Sequence, residues 1–335
     1  MKKIGFLSFG HWGPYQGSQT RTAADSLLQA IDLAQGAEQI GIDGAYVRVH
    51  HFARQQASPF PLLAAMGART SKIELGTGVI DMRYENPLYM AESAAQADLI
   101  SASRLQLGVG RGSPEDADRG YRYFGHELKG RNEFEMAREH TLKFLEAIDG
   151  TPIAERDPRT PGFGKLPITP QSPGLRQRIW WGAGSAKTAL WAAEHGLNLM
   201  SSTLMLEEKG IPFHQLQYQQ IEAYRSAWQQ AGWGWTPQVS VSRSILPIID
   251  EQTRAYFLAQ DEGESIGILD GIRSRFSAPI VGQPEEIARQ LVQDSAVAAA
   301  DNVMVTIPNQ LGVDFNLKLL EAIAQIARTL GWHKG

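Results

Sequence analysis

The chain has 335 residues, of which 43% are hydrophobic and 20% are charged, a composition typical of a globular protein with a large apolar core. Its net charge of −4 and its pI of about 6.1 give no basic field for a nucleic-acid backbone or an anionic membrane, which favours small-molecule chemistry. The lack of cysteine excludes disulfides, thiolate metal sites and a cysteine nucleophile. Residues 1–13 make a poor signal peptide, and no apolar run approaches the roughly 18 residues of a membrane span, so a cytoplasmic protein is expected.

Short apolar runs that end in glycine or a polar residue recur along the chain and predict eight strands. Most of the runs are continuously apolar, as expected for strands that are buried on both faces. They cover residues 4–10, 43–51, 72–80, 104–112, 178–185, 197–203, 238–248 and 301–308.

Helical patterns separate most of these runs. After the first run, apolar residues recur at three- and four-residue steps from Leu27 to Ile40, and Gly41 is placed to end the helix. The same spacing follows the last run. Pro284, followed by two glutamates, predicts the start of another helix, since proline and acids are favoured in a first turn.

This alternation of strands and helices predicts an α/β fold, a (β/α)8 TIM barrel whose active residues lie at the C-terminal ends of parallel strands. A doubly wound sheet is the alternative. Two spacers, 113–177 and 250–280, are too long for one helix and are expected to be insertions over the C-terminal mouth of the barrel. The length is compatible with one domain or two.

In a barrel, polar and glycine residues at the strand ends converge on one mouth. Adjacent histidines, His50 and His51, end the second run. Neighbours on a strand point to opposite faces, and no carboxylate follows at the spacing of metal ligands, so no metal site is expected.

The segment 182–196, GAGSAKTALWAAEHG, predicts a strand end, a glycine turn and a helix. Such a turn presents backbone N–H groups and the positive end of the helix to an anion. Ser185 and Thr188 add hydroxyl donors, and Arg111 adds a guanidinium that can bind a phosphate through two hydrogen bonds. The pattern indicates a phosphate site, while a tight turn in which Ser185 only caps the helix stays open. A dinucleotide site is less favoured, because Lys187 replaces the third glycine of that fingerprint.

Several motifs, in their order and spacing, resemble the bacterial luciferase-like flavin monooxygenases over almost the whole chain. They are GIDGAYVRVHHF (41–52), SPFPLLAAMGARTSKIELGTGV (58–79), NPLYMAESAAQADLISASRLQLGVGRG (86–112) and GAGSAKTALWAAEHGL (182–197). The resemblance implies that residues 1–335 form a single TIM-barrel domain, which binds a flavin, usually FMN, with its ring across the mouth.

The resemblance also implies which residues contact the cofactor. Arg111, Ser185 and Thr188 match the positions that hold the FMN phosphate, and the bond between Gly78 and Val79 matches a cis peptide beneath the ring. The cofactor-binding residues implied are Gly78, Val79, Arg111, Gly184, Ser185 and Thr188.

His50 matches the family's active-site histidine, and a neutral imidazole there can act as a base or as a hydrogen-bond donor. His51 is expected only to pack or to form hydrogen bonds. Val49 stands where the family commonly has an acid, so no local carboxylate is expected to orient His50.

Two further groups of side chains lie near the predicted strand ends. Three tryptophans are expected to belong to the core between helices and sheet rather than to stack on a ring: Trp180, Trp181 and Trp191. Three charged residues after the third strand can contact substrate or can be solvated loop charges: Asp81, Arg83 and Glu85.

The resemblance implies a monooxygenase that uses reduced FMN and dioxygen to oxidise a small organic substrate. It also implies that a separate flavin reductase supplies the reduced FMN and that the protein is a homodimer. Three alternatives stay open. The barrel can bind the deazaflavin F420 and transfer hydride, or it can bind flavin without catalysis. It can also be an enzyme of phosphorylated sugars that binds no flavin.

Overall fold

A computed structural model describes residues 1–112, 116–205, 210–257, 265–269 and 272–332. The strands, in chain order, are β1 (Lys3–Ser8), β2 (Gly44–Val47), β3 (Glu74–Asp81), β4 (Leu105–Gly110), β5 (Ile179–Ala183), β6 (Asn198–Ser201), β7 (Leu204–Met205), β8 (Val239–Arg243), β9 (Ile245–Pro247), β10 (Ser265–Leu269), β11 (Ile272–Phe276), β12 (Ile280–Gly282) and β13 (Asn302–Ile307). The helices are α1 (Ala23–Ile40), α2 (Pro59–Arg69), α3 (Pro87–Ile100), α4 (Glu133–Ile148), α5 (Ala186–Glu194), α6 (Phe213–Ala231), α7 (Glu251–Phe257), α8 (Pro284–Gln293), α9 (Ser295–Ala299) and α10 (Val313–Thr329).

Eight strands close into a barrel in the order β1-β13-β8-β6-β5-β4-β3-β2, and neighbouring strands are parallel. Each barrel strand lies beside the next barrel strand along the chain, because the connecting segments return outside the ring and carry helices. The prediction of a (β/α)8 TIM barrel is therefore confirmed, and the doubly wound sheet is excluded. Each of the eight predicted runs overlaps a barrel strand, and the bounds differ by one residue at the start of β1 and at the end of β3.

The first helix shows how the apolar pattern relates to burial. Helix α1 ends at Ile40, and Gly41 follows with a φ of 92°, the left-handed conformation that glycine adopts readily. Its buried face comprises Ser26, Ala30, Leu33, Ala34 and Ala37, whereas Leu27 is 41% exposed. The predicted helix is correct, but the apolar stripe assigned to it was one position off at its start.

Large side chains fill the lower part of the barrel and pack against glycines of neighbouring strands. They are Leu7, Tyr46, Trp180, Met200 and Met304. A Cβ atom at Gly76 would lie 2.1 Å from the carbonyl oxygen of Gln106, and one at Gly108 would lie 2.6 Å from Sδ of a buried methionine. These contacts leave no room for a side chain, so glycine allows the packing that closes the barrel below its mouth.

The two long spacers differ in content. The spacer 113–177 contains α4, which is the barrel helix between β4 and β5, so only its remainder is an insertion. The spacer 250–280 contains α7 and the antiparallel pair β10 and β11, and its residues 258–264 and 270–271 lie outside the described part.

Strand β11 pairs with β7, which directly follows barrel strand β6. This pairing attaches the second insertion at the C-terminal mouth. The organisation of residues 1–335 as one domain stays a prediction. Within the described residues, no helix combines the length and the apolar character that crossing a bilayer requires.

Candidate active site

A cavity of about 290 Å³ opens at the C-terminal ends of the barrel strands, and its wall is formed by seven of the eight barrel strands together with the residues that directly follow β2. This is the position at which TIM barrels carry their active sites. Its lining comprises Leu7, Phe9, Arg48, Val49, His50, Gly78, Val79, Gly110, Arg111, Gly112, Phe134, Trp181, Gly182, Ala183, Gly184, Thr188, Met200, Ser202, Thr203, Leu204, Ser242, Met304 and Thr306.

The wall formed by the ends of β3, β4 and β5, called here the glycine side, is built mainly from backbone. A Cβ atom at Gly182 would lie 3.0 Å from Cγ1 of Val79, and one at Gly110 would lie 3.3 Å from Cγ2 of the same valine. The peptide bond between Gly78 and Val79 is cis, as the resemblance implies. A flat ligand could therefore lie close to the glycine side, where it would contact mainly backbone atoms and the Val79 side chain.

Arg111, at the end of β4, is held against the first turn of α4. Its guanidinium carbon lies 4.4 Å from the centre of the Phe134 ring, and its Nη1 lies 3.7 Å from Oε2 of Glu133. The side chain is 14% exposed and borders the cavity. The charge is thus presented to a ligand from a packed position, as a preorganised anion site requires.

Glu133 joins Arg111 to a buried ion pair behind the glycine side. Arg83 Nη1 donates a hydrogen bond of 2.5 Å to Glu133 Oε2, and Arg83 Nη2 donates one of 2.6 Å to Asp81 Oδ2. Burial alone would lower the pKa of Arg83, but the hydrogen bonds and charges of both acids raise it above its ordinary value.

Asp81 and Arg83 are therefore not solvated loop charges, and neither borders the cavity. They are paired within the protein, where a buried charge is normally found with its partner. Glu85 is half-buried, and its burial together with the charge of Asp81 raises its pKa to about 7.

Helix α5 begins next to the same cavity. Ser185 caps it, because Thr188 N donates to Ser185 Oγ over 3.3 Å and Ser185 N donates to Thr188 Oγ1 over 3.2 Å. Gly184 and Thr188 line the cavity, and Ser185 Oγ lies behind them, 3.1 Å from Thr188 Oγ1. The cap and the cavity wall are made by the same turn, so the two interpretations of this segment are compatible.

The predicted cofactor residues are therefore close together. One cavity is bordered by five of them: Gly78, Val79, Arg111, Gly184 and Thr188. The sixth, Ser185, contacts the Thr188 hydroxyl through its own hydroxyl group. Their roles in binding FMN stay predictions.

The two adjacent histidines have different environments. His50 lines the cavity, is 8% exposed and has its backbone N–H bonded to the carbonyl of Gln56 over 2.9 Å. His51 stacks on Tyr84 with ring centres 4.2 Å apart and meets Phe124 edge-on at 5.0 Å. The placement agrees with a chemical role for His50 and a packing role for His51, although the catalytic role stays a prediction.

Sequence reasoning missed Arg48 and Phe134, which both line the cavity. Alternation along β2 could have found the first, since Tyr46 faces the barrel interior and residues 48 and 50 share that direction. Phe134 reaches the mouth from α4, and no local pattern signals such a contact. Trp180, Trp181 and Trp191 are core residues, as predicted, although Trp181 also borders the cavity.

Metal chemistry was not expected from the sequence. Among the described residues, no group of three or more histidines, aspartates and glutamates is arranged to hold a metal ion.

A family model described as luciferase-like monooxygenase matches residues 1–301. The chain belongs to this family. It is a family of oxidoreductases, and its relatives include flavin-dependent monooxygenases. The resemblance seen in the motifs is thereby confirmed.

Two curated relatives match over part of their length. The oxygenase component of a flavin-dependent trigonelline monooxygenase from Acinetobacter baylyi is 25% identical over 201 residues, 58% of this chain and 53% of that protein. A 4-hydroxyprotoasukamycin monooxygenase from Streptomyces nodosus subsp. asukaensis is 38% identical over 94 residues, 27% of this chain and 25% of that protein. The chain thus spans about half or less of these relatives.

Solved structures share the whole fold at low identity. The oxygenating constituent of 3,6-diketocamphane monooxygenase from Pseudomonas putida, in complex with FMN, has a TM-score of 0.67 and 15% identity, with 97% of this chain and 98% of that chain covered. The F420-dependent tetrahydromethanopterin reductase from Methanopyrus kandleri has a TM-score of 0.63 and 15% identity, with 97% of each chain covered. These likenesses establish the fold and leave the choice of flavin open.

Proposed function

We propose that the protein is the oxygenase of a two-component monooxygenase, which uses reduced FMN from a separate flavin reductase, together with dioxygen, to oxidise a small organic substrate. The observation that carries this proposal is the convergence of three features on one cavity. They are the guanidinium of Arg111, the N-terminal turn of α5 with Thr188, and the imidazole of His50.

The lining fits FMN in its chemistry. The phosphate would be held by Arg111, by the Thr188 hydroxyl and by N–H groups at the start of α5, where the helix dipole favours a negative charge. The glycine side leaves backbone and Val79 to lie against the ring, since side chains at Gly110 and Gly182 would press on that valine. No part of this assignment needs a metal.

When bound, reduced FMN supplies two electrons for splitting dioxygen, so that one oxygen atom enters the substrate and the other leaves as water. The protein contributes position and proton control. His50 would hold or move a proton at the reacting centre, since an imidazole can serve as donor or acceptor near neutral pH. Leu7, Val79 and Met304 give the cavity apolar walls that limit water.

A separate reductase is supported by one relative. The trigonelline enzyme is described as an oxygenase component, a term that implies a second component for that enzyme. By the same logic, the protein would receive its flavin already reduced.

Transfer of hydride with F420 is the second candidate, because an F420-dependent reductase shares the fold over nearly the whole chain. Titration of the purified protein with FMN and with F420, followed by flavin absorbance and fluorescence, separates the two. We expect tighter binding of FMN, and preferential capture of F420 would overturn the choice. A protein that binds neither would be a barrel enzyme of another class.

Catalysis is tested in a second experiment with a flavin reductase, NADH and isotopically labelled dioxygen. We expect oxygen consumption that depends on an added organic substrate, with one labelled atom in the product. Binding of FMN without such consumption, over a broad panel of substrates, would indicate a flavin-binding protein without catalysis.

We also propose that residues 1–335 form a single domain and that the protein works as a homodimer in the cytoplasm, as the resemblance implies. The absence of cysteine is consistent with a reducing compartment. A single cooperative unfolding transition, light scattering of the purified protein and fractionation of the source cells test these three points.

A further inference from the structure

The inner face of α6 carries two glutamines at positions where apolar side chains are expected. Gln217 and Gln220 lie about one helical turn apart, are 0% and 1% exposed, and share that face with Ile221 and Tyr224. Removing an amide side chain from water is unfavourable unless the protein supplies hydrogen bonds in return. The partners of the two amides therefore indicate what each glutamine stabilises.

Gln220 is bonded to the turn that begins α5. Its Nε2 donates to the carbonyl oxygen of Ala183 over 3.2 Å and to that of Ser185 over 3.0 Å. Its Oε1 accepts a hydrogen bond of 2.6 Å from the Ser201 hydroxyl at the end of β6. Because the amide nitrogen faces two carbonyls and the amide oxygen faces a hydroxyl, these partners define the orientation of the amide. One side chain of α6 thus holds both ends of the short segment 183–185.

The bond to Ala183 determines which way the next peptide group faces. The peptide bond between Ala183 and Gly184 is trans, and in a trans peptide the N–H points away from the C=O. Because Gln220 holds the Ala183 carbonyl toward α6, the N–H of Gly184 is directed away from α6, on the side where this glycine borders the cavity. Gln220 therefore keeps a backbone donor of the turn in the direction that an anion site requires.

The bond to Ser185 joins Gln220 to a residue of the cavity wall. The carbonyl of Ser185 also accepts hydrogen bonds from the Thr188 hydroxyl over 2.9 Å and from the N–H of Ala189 over 3.1 Å. Gln220 thus shares an acceptor with Thr188, whose side chain is proposed above to bind the phosphate. Since Gln220 itself does not line the cavity, it supports the turn from behind.

Gln217 offers a contrast within the same helix. Its Nε2 donates to the Ser201 hydroxyl over 2.9 Å and to the carbonyl oxygen of Ser202 over 2.7 Å. Both partners belong to the end of β6 and not to the turn before α5. The two glutamines are therefore alike in burial and share Ser201 as a partner, but they differ in that Gln220 is bonded to the turn.

We infer that Gln220 is a positioning residue for the phosphate end of the cofactor, which acts by holding the N-terminal turn of α5 in the conformation that binds an anion. This inference rests on the proposed function, since it takes that turn as part of the FMN phosphate site. A turn that is already held in its binding conformation does not have to reorganise when the phosphate binds. The contribution of Gln220 should therefore appear in the affinity for the phosphate and not in the affinity for the ring.

The test compares FMN with riboflavin, which has the same ring system and no phosphate, by fluorescence titration of the flavin-free protein. In Gln220→Met, which keeps the length of the side chain but loses its hydrogen bonds, we expect FMN affinity to fall about tenfold, the equivalent of about one net hydrogen bond. Riboflavin affinity should stay close to that of the wild type. A general loosening of the cavity would instead weaken both flavins alike.

The matched control is Gln217→Met, which removes an equally buried amide of the same helix together with its bonds to Ser201 and Ser202. It should also lower the unfolding temperature, but it should keep the preference of the wild type for FMN over riboflavin. The unfolding temperature of each variant establishes that it is folded before titration. If Gln220→Met does not fold, Gln220→Asn takes its place, because an amide one methylene group shorter keeps its polarity but loses its reach to the two carbonyls.

The outcomes separate this inference from the proposed function. If the wild type binds no FMN, the proposed function fails, and calorimetric titration with inorganic phosphate then decides the inference. In that titration Gln220→Met should bind phosphate about tenfold more weakly than Gln217→Met, and a wild type that binds no phosphate overturns the inference as well.

If FMN binds, three results would show that the inference alone is wrong. The wild type could bind riboflavin as tightly as FMN, Gln220→Met could keep the preference for FMN or weaken both flavins alike, or Gln217→Met could lose the preference to the same extent. The last result would mean that the turn depends on the packing of α6 as a whole and not on the two bonds from Gln220.

Discussion

The two sides of the cavity are built from different materials. The glycine side presents mainly backbone, since Gly110 and Gly182 have Val79 against them and leave little room for larger residues. The opposite side, formed by the ends of β13, β1 and β2 and called here the arginine side, presents side chains, among them Arg48 and Phe9. A surface made of backbone serves a ligand that does not change, whereas a surface made of side chains can change its specificity without altering the barrel.

The sides also differ in how their arginines are held. Arg111 is connected through Glu133 to the buried pair of Arg83 and Asp81, so its position is fixed by a network of charges. Arg48 rests on the ring of Phe9 at 4.7 Å. We therefore expect a fixed anion site on the glycine side, and the changes below test this comparison in order of expected effect.

Replacement of His50 should have the largest effect on catalysis. For His50→Gln, we expect product formation per unit time to fall by about 10²–10⁴-fold, because the variant loses a positioned proton donor or acceptor. FMN affinity should change little, since the phosphate site lies across β3 from this residue. Oxygen incorporation in the reductase-coupled assay measures the rate, and flavin fluorescence measures the affinity.

His51→Gln is the matched control for this change. His51 packs on Tyr84 and Phe124, so its replacement should lower the unfolding temperature. Turnover of the folded variant should stay close to that of the wild type. If both variants reduced turnover equally without loss of stability, the assignment of separate roles to the two histidines would be wrong.

Replacement of Arg111 should affect the cofactor rather than the substrate. Loss of a charge pair with phosphate costs about 2–5 kcal/mol, which corresponds to an FMN affinity lower by about thirtyfold or more. Riboflavin has no phosphate, so its affinity should barely change in Arg111→Met, and the preference of the wild type for FMN over riboflavin should disappear.

The comparison between sides is sharpest when Arg48→Met is measured in parallel. It should keep the preference for FMN over riboflavin, because it removes a cation from the arginine side only. A loss of the phosphate preference in both variants would show that both arginines bind the same phosphate, and the two sides of the cavity would not be separate sites.

The fold could be predicted because its signals are local. Each barrel strand is a short apolar run, and each run ends in glycine or a polar residue. Gly41 marks the end of α1, where a φ of 92° strongly favours glycine. The burial of single residues was less predictable. Leu27 fits the helical spacing but is exposed, since the face covered by the barrel is set by how α1 packs as a whole.

The site could be predicted only where a residue follows directly from a strand or a turn. His50, Arg111 and Thr188 do so, and all three reach the cavity. The burial of the Asp81–Arg83 ion pair could not be predicted from the sequence, because Arg83 also bonds to Glu133, which lies 50 positions away along the chain. Loop charges that look solvated in a sequence become buried when a distant partner compensates them.

The smallest expected effect concerns Glu85, in the loop after β3, and it tests the electrostatics behind the glycine side. Burial and the charge of Asp81 raise the pKa of Glu85 to about 7, against an ordinary value of 4.5. Between these two values, the unfolded chain ionises Glu85 while the folded protein retains its proton. The free energy of unfolding should therefore fall as the pH rises from about 4.5 to 7, by up to about 3 kcal/mol.

Glu85→Gln removes this proton linkage, so the variant should be more stable than the wild type at pH 8, and its advantage should be largely lost at pH values below 4.5. Denaturant unfolding of both proteins across this range measures the difference. Glu321→Gln, at an exposed position of α10, is the control and should follow the wild type at every pH. A constant difference between Glu85→Gln and the wild type would mean that Glu85 ionises alike in the folded and unfolded states, so that neither its burial nor the charge of Asp81 raises its pKa.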